Sequence, residues 1–534
     1  MSLFKWLIKK QIRSGKRQRY KEAPPNNQAL TDSEISIINA GNFKNRLNWI
    51  RQQLSNCSDV VYHTFIAGPD QECALIYLRG MIDQKTIQEE VLARILSLQA
   101  QDANQFRNQI FNLKQLSVTD LTELTTLQEG VTAVLNGHAL LLVEGEPRLL
   151  EFPFTSYQTR SIVEAPNEAV LRGPREAFIE NLEVNLTLIR RRLKTPDFKT
   201  EMLLVGTKTQ TKVIIAYVKG VCKQELIDEV NKRVSQIEID GVLADSYLED
   251  FIEDFPFSPF PQLQYSERPD TVTASLLEGR VAIMVDGSPI VLLAPTTLFM
   301  LMQSAEDYYQ RYIAATWIRW IRYIFLMASL LLPSIYIAVT TFHPEMIPAK
   351  LLITVTSSRE VVPFPALIEA IMMEISFEAL REAAVRIPKS IGQAVSVIGA
   401  LIIGTAAVQA GIVSAAMVII VSLTGIASFI IPHFDLGLAF RLLRFPVMIL
   451  AGVFGLFGIS CGMLIIYIHL INLRSFGTPY LSPFVPLEIS DLKDTFLRVP
   501  WWLMNKRPSL SGANRTRQQA DSRKWAQAQE ENGD

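Results

Sequence analysis

The chain has 534 residues, in which 52 Lys and Arg stand against 53 Asp and Glu, a formal net charge of -1. That balance excludes a nucleic-acid binder held by bulk positive charge. A hydrophobic content of 49% and a mean hydropathy of +0.19 exclude a disordered or collagen-like chain.

The averages conceal a division. No Lys, Arg, Asp or Glu occurs between Arg322 and Glu345, between Lys389 and Asp435, or between Arg444 and Arg474, whereas the chain before these runs is charged throughout. A soluble half is therefore followed by a membrane half, in five parts: 1–34, a basic extension; 35–165 and 166–310, two tandem α/β subdomains; 311–475, a transmembrane domain; and 476–534, a cytoplasmic tail.

The extension sets Phe4, Trp6, Leu7 and Ile8 among Lys5, Lys9, Lys10 and Arg13. This pattern fits either a stretch lying on anionic lipid or a frayed basic tail. Its apolar stretch is too short and too interrupted for a secretory signal, so the soluble half is expected in the cytoplasm.

The two subdomains carry an internal repeat. Ala74-Leu-Ile-Tyr77-Leu-Arg-Gly80 returns as Ile214-Ile-Ala-Tyr217-Val-Lys-Gly220, and Leu140-Leu-Leu-Val143-Glu-Gly145 returns as Ala282-Ile-Met-Val285-Asp-Gly287. The offset is 140 residues at the tyrosines and 142 at the valines. Each copy predicts a strand, a glycine turn, a helix and a later hairpin. Phe255-Pro-Phe-Ser-Pro-Phe-Pro261 is a stiff extended loop, read either as a binding motif or as a structural corner. Cys57, Cys73, Cys222 and Cys461 lie far apart without a CxxC spacing, which predicts free thiols and neither zinc nor a disulfide framework.

A span needs ~20 apolar residues. Trp317 to Phe342 supplies one, with Arg319 and Arg322 near its start, and Phe445 to Leu473 supplies another, flanked by Arg441, Arg444 and Arg474. The uncharged run Ile391 to Ile431 is long enough for two, divided by a turn near Gly411. About four spans place both termini on one face, and Lys506, Arg507, Arg515, Arg517, Arg523 and Lys524 mark that face as cytoplasmic.

Residues 349–388 fit neither class, because Glu369, Glu374, Glu378 and Glu382 interrupt an apolar helical pattern opened by Pro363 and Pro365. Carboxylates at membrane depth are costly unless they face water or partners. Two readings stand: a re-entrant helix whose Glu369, Glu374 and Glu378 form a cation-concentrating vestibule, or an interfacial helix with a solvated face and a Glu382–Arg386 pair.

The stretch 392–411 is rich in Gly and Ala. Gly392, Gly399, Gly404 and Gly411 suit close helix packing, while Gln393, Val397, Leu401, Thr405 and Val408 fall on one side at helical spacing. Such a face suits a pore lining with an apolar constriction, provided several copies surround an axis; without an oligomer, close packing of a buried span explains it. The chain contains no Walker P-loop, GxSxG elbow or HExxH motif, and its five histidines are not paired at ligand spacing. No catalytic residue, cofactor or metal site is expected, and the chain is not read as an enzyme.

Several long motifs resemble a known family. Gly173-Pro-Arg-Glu-Ala-Phe-Ile-Glu-Asn181 with Leu188-Ile-Arg-Arg-Arg192, Ser258-Pro-Phe-Pro-Gln262 with Glu267-Arg-Pro-Asp270, Glu278-Gly-Arg-Val-Ala282, Glu306-Asp-Tyr-Tyr309, Arg359-Glu-Val-Val-Pro-Phe-Pro365, Leu380-Arg-Glu382 and Ser475-Phe-Gly-Thr-Pro-Tyr480 resemble the A subunits of GerA-type spore germination receptors, from about residue 165 to 486. A related class of sporulation membrane proteins shares this core. The resemblance implies a multi-pass protein of the spore inner membrane that works with a transporter-like B subunit and a lipoprotein C subunit. It also implies assembly into a homo-oligomer, with a pentamer expected, forming a nutrient-gated ion channel that releases cations to start germination. A secondary transporter protomer and a non-conducting signalling scaffold are the competing functions, although the visible repeat lies in the soluble half and not among the spans.

Overall fold

A computed structural model of the chain describes residues 42–113, 116, 121–156, 168, 170, 172–386, 402–504, 506–508 and 517. Two compact units result: Met1–Ser55 with Val60–Tyr157, and Asn56–Asp59 with Gln158–Asp534.

The first unit contains α1 (Phe43–Gln53), β1 (Val60–Ala67), β2 (Gln71–Leu78), α2 (Ala103–Phe111), β3 (Thr122–Leu124), α3 (Leu127–Leu135), β4 (Ala139–Val143) and β5 (Leu149–Phe152). Its sheet has the order β1-β2-β4-β5-β3 with antiparallel neighbours. Alternate residues of β2 serve opposite faces: Cys73 and Leu75 pack with Phe106 and Ile110, and Ala74 and Ile76 with Leu47, Ile50 and Val131. Because helices cover both faces, the central strands read as continuous apolar runs.

The second unit repeats the arrangement with α4 (Leu182–Arg190), β6 (Phe198–Val205), β7 (Thr211–Val218), α5 (Gln224–Ser235), α6 (Asp245–Ile252), β8 (Gln264–Ser266), α7 (Pro269–Leu277), β9 (Val281–Val285) and β10 (Val291–Ala294). The order is β6-β7-β9-β10-β8, again with antiparallel neighbours. The turn glycines correspond as well: Gly80 and Gly220 have φ 81° and 77°, and Gly145 and Gly287 have 72° and 89°. This left-handed region is where glycine carries no Cβ penalty.

The helices that follow are α8 (Tyr312–Phe342), α9 (Ala349–Glu360), α10 (Ala366–Arg386), α11 (Ala415–Phe429) and α12 (Phe434–Asn472). Among the described residues, α8 and α12 are long and apolar enough to cross a membrane, while α11 is apolar but has 15 residues. Arg319 and Arg322 lie within α8 and are buried, so they are not snorkelling flanks of a span.

The single span expected over 445–473 is instead folded back on itself. Gly455 has φ 59° and ψ -141°, which breaks α12 into arms 434–454 and 456–472. A Cβ at Gly458 would lie 2.0 Å from the Leu450 carbonyl oxygen, and one at Gly462 would lie 3.3 Å from both Leu450 Cδ1 and Val447 Cγ2. In a straight helix, positions 450 and 462 stand ~18 Å apart at ~1.5 Å per residue, so the arms run antiparallel. The Phe260 ring touches Phe440 of one arm at 5.6 Å and His469 of the other at 5.9 Å. Helix α10 runs antiparallel to the first arm: Leu367 packs at Gly452, Glu374 pairs with Arg444, and Glu378 pairs with Arg441.

Close approach at Gly458 has a measurable consequence. Gly458→Ala should destabilise the detergent-extracted protein by ~1–3 kcal/mol, the usual range for overpacking. Gly425→Ala, whose added Cβ meets nothing within 4 Å among the described residues, should leave the melting curve unchanged or raise it.

Candidate functional site

The ionisable groups of the helical region converge on α10. Glu369 is fully buried, and its Oε1 accepts from both the backbone nitrogen and Oγ of Ser414 at 2.5 Å. Ser414 in turn caps α11 by accepting from Met417 N at 3.3 Å. Arg359 of α9 places Nε 3.8 Å from the second Glu369 oxygen. Five residues further along, Glu374 pairs with Arg444, whose Nε donates to the Ser329 carbonyl at 2.7 Å and so ties α10 and α12 to α8. Glu378 accepts from Arg381 at 2.9 Å and from Arg441 at 3.4 Å, and Arg381 also donates to Ser428 Oγ of α11 at 3.1 Å.

Three carboxylates therefore meet four guanidiniums inside an apolar bundle. Glu374 and Arg444 are each 2% exposed, so neither charge is solvated by water. The coordination is incomplete: among the described residues, Glu369 Oε2, Arg359 Nε, Glu374 Oε1 and Arg444 Nη2 are buried without a hydrogen-bond partner. The vestibule expectation gave each glutamate a watery face. Glu369 and Glu374 have none within the protomer, whereas the Glu378 side chain is 34% exposed. The alternative Glu382–Arg386 pair rests on a side chain outside the described residues.

Of the expected pore-lining residues, Gln393, Val397 and Leu401 lie outside the described residues, as do Gly392 and Gly399. Thr405 lies on the exposed side of a short π-helical turn, Ile402–Ala406. Val408 packs on the cluster of Ile337, Ala370, Met373 and Met417. Among the described residues, nothing lies within 4 Å of where a Cβ on Gly404 would stand. Gly411 has φ 66° and lies against Val361, forming the turn between Ala407–Gln409 and α11.

A second polar network joins the second sheet to the helices. Asp307 accepts from Arg319 at 2.9 Å and Arg322 at 2.7 Å, and Arg319 also reaches Asp494 at 3.1 Å. Tyr309 donates to Asp270 at 2.5 Å, and Arg268 pairs with the same carboxylate at 2.8 Å. Arg280 bonds Gln264 at 2.6 Å, and Gln264 meets His433, immediately before α12, at 3.2 Å. Burial, together with the nearby Arg280 charge, pushes His433 down to about 4, so it is neutral at physiological pH.

The model of the Bacillus/Clostridium GerA spore germination protein family matches residues 48–510. The chain belongs to the GerA spore germination protein family. It is 48% identical over 88% of its length to the uncharacterized membrane protein YfkQ of Bacillus subtilis (strain 168), covering 91% of that relative. It is 40% identical over 92% of its length to spore germination protein KA of the same organism, again covering 91% of the relative. A crystal structure of the N-terminal domain of the A subunit of the Bacillus megaterium spore germinant receptor GerK3 matches 47% of this chain and 94% of that one, at 29% identity and a TM-score of 0.37.

Several of the GerA motifs, which carried no assigned roles in the sequence, gather in the second network, whereas Arg359 and Arg381, from two others, lie in the α10 cluster. A Cβ on Gly173, at φ 135°, would stand 2.7 Å from the Tyr309 ring, and Arg268 donates to the Pro174 carbonyl at 2.9 Å. Thr296 N donates to Ser475 Oγ at 3.0 Å, and Ser475 Oγ donates to the Gln262 carbonyl at 2.6 Å. The sequence signal missed for α10 was charge parity. Arg441 and Arg444 were read as flanks of a span, although a buried carboxylate requires a cation and Arg444 directly borders an uncharged run.

Removing one member of a buried pair strands the other charge, so Arg444→Met should lose ~3–5 kcal/mol of stability and Glu374→Met a comparable amount. The double variant Arg444→Met/Glu374→Met should recover most of the loss in thermal denaturation, and an additive double variant would show that the pair is not coupled.

A pH dependence follows from α6. Burial, then the Glu253, Asp435, Asp245 and Asp250 carboxylates, push Glu249 up from 4.5 to about 8. Folding therefore favours its neutral form, and that contribution is complete below pH ~4.5 and lost as pH rises towards ~8. Glu249→Gln should raise the Tm at pH 8.5 by several degrees, at ~2–4 °C per kcal/mol. It should change little at pH 4.5.

Proposed function

We propose that this GerA-family chain is the A-type subunit of a nutrient-responsive germination receptor. Several copies, with five as the expected number, surround an axis in the spore inner membrane and form a gated ion channel. The segment 393–408 faces the axis through Gln393, Val397, Leu401, Thr405 and Val408. The sheet subdomains and both termini lie in the cytoplasm, and a transporter-like B subunit and a lipoprotein C subunit complete the complex.

The observation that carries this reading is the buried pairing along α10. Internal charge pairs at the level of apolar helices hold α8, α10, α11 and α12 as one block, and ionisable groups at that depth mark functional sites. The turn at Gly411 and the Ser414 cap fasten the end of the Gly/Ala-rich segment to that block. Thr405 is exposed, and no described residue lies within 4 Å of where a Cβ on Gly404 would stand. Glu378, with its partly exposed side chain, is the carboxylate that faces the aqueous vestibule, while Glu369 and Glu374 maintain the block.

Leu401→Ser should lower the barrier to wetting of the constriction and raise resting cation leak by ~10-fold in liposomes holding the purified assembly. Unchanged retention across Val397→Ser, Leu401→Ser and Thr405→Val would remove this segment from the pore. A monomeric mass for the detergent-extracted protein together with solute uptake would instead make the chain a transporter protomer, and an oligomer without conductance would make it a signalling scaffold.

A further inference from the structure

The second unit carries an aromatic patch that has no role in the receptor reading. Phe257 is 103% exposed, and Phe255, Phe251, Tyr247 and Leu243 are exposed beside it in sequence. Tyr247 and Phe251 stand one turn apart on α6, and the Pro-rich loop 255–261 follows directly. Apolar side chains this exposed on one contiguous stretch mark an interaction surface.

The position of the loop identifies what covers it. Ser258 Oγ and Nε2 of His469, in the last turn of α12, are 2.8 Å apart, and the Phe260 ring lies between Phe440 and His469. The loop thus sits at the open ends of both arms, where Phe434, Leu438, Ile468 and Ile471 are also exposed. If the arms span a bilayer, these ends lie at its surface, the depth at which aromatic residues accumulate in membrane proteins.

We propose that the rings of Phe255 and Phe257, with those of Tyr247 and Phe251 on α6, insert into the glycerol and upper acyl layer of the bilayer, so that phospholipid is the partner of this surface. The contact is apolar in origin. The titratable side chains within and beside the patch are mostly carboxylates, Asp245, Glu249, Asp250, Glu253, Asp254 and Asp435, and the Arg233 guanidinium beside them is paired with Asp254. An anionic headgroup therefore gains nothing here, and the contact does not depend on anionic lipid. The inference rests on the reading of α12 as membrane-embedded.

The test places the photoreactive residue p-benzoylphenylalanine at Phe257 or, separately, at Ile465, a 64% exposed residue of the second arm, in the full chain in phosphatidylcholine nanodiscs. Adducts are identified by mass spectrometry. The expected result is lipid adduct at Phe257 within ~threefold of the yield at Ile465, unchanged on adding phosphatidylglycerol. Lipid adduct at Ile465 alone overturns the inference and leaves the membrane reading intact. Cross-linking of Phe257 to a second copy, or to another protein added as a receptor partner, also overturns it. Absence of lipid adduct at both positions sinks both readings together. As a second readout, Phe255→Asp should reduce the lipid adduct at Phe257 by ~fivefold or more, because a charge inserted beside the probe opposes entry into the interface; an unchanged yield counts against insertion.

Discussion

The helical region depends on the pairing of carboxylate with guanidinium where water is excluded. An isolated ionised group in such surroundings costs several kcal/mol, and an arginine does not escape by losing its proton. Glu374 with Arg444, and Glu378 with Arg381 and Arg441, therefore fix which faces of α10 and α12 meet. The apolar contacts around them are non-directional and fit several helix rotations. The ion pairs do not, because each side chain reaches its partner in only a narrow range of rotation and shift. Their value lies in specificity more than in net stability, since apolar isosteres of the same volume pack about as well.

The second constraint is steric. The arms of α12 approach closely because glycine stands at 455, 458 and 462, where the Phe342 side chain, the Leu450 carbonyl and the Val447 side chain press in. Small residues let helix backbones come together where no hydrophobic force distinguishes protein from lipid. The hairpin brings His433 and His469 to the same end, where Gln264 and Ser258 of the second unit meet them. A straight helix would send those two histidines to opposite ends.

Periodicity and repetition made the sheets legible. Leu140–Val143 and Ala282–Val285 are apolar on both faces because helices cover both, and the glycine turns recur because the backbone there has positive φ. The sequence read as two tandem α/β subdomains; that their neighbouring strands pair antiparallel is a feature that apolar patterning does not carry. The positions of the α10 glutamates were legible, but their partners were not, since Arg359, Arg441 and Arg444 come from other helices. The reversal at Gly455 was hidden for a related reason: apolarity records that a segment avoids water, not that it turns. The glycine spacing from 452 to 462 was the available sign.

The joint between the second sheet and the helices determines what a signal in the sheets can do. Arg319 and Arg322, one turn apart on α8, share Asp307, while Tyr309, two residues on, holds Asp270 at the start of α7. A displacement of α7 thus reaches α8 through two short side-chain links and one turn of helix, without a flexible linker between them. Arg280, just before β9, reaches the start of α12 through Gln264 and His433 by a separate route. Because His433 is neutral near pH 7, that second route is a neutral hydrogen bond at its helical end, weaker and more readily exchanged than the charged one. The two connections therefore differ in kind: α8 is held to the sheet by paired charges, and the start of α12 by a neutral hydrogen bond that stands beside the Ser258 and Phe260 contacts at the hairpin's other end.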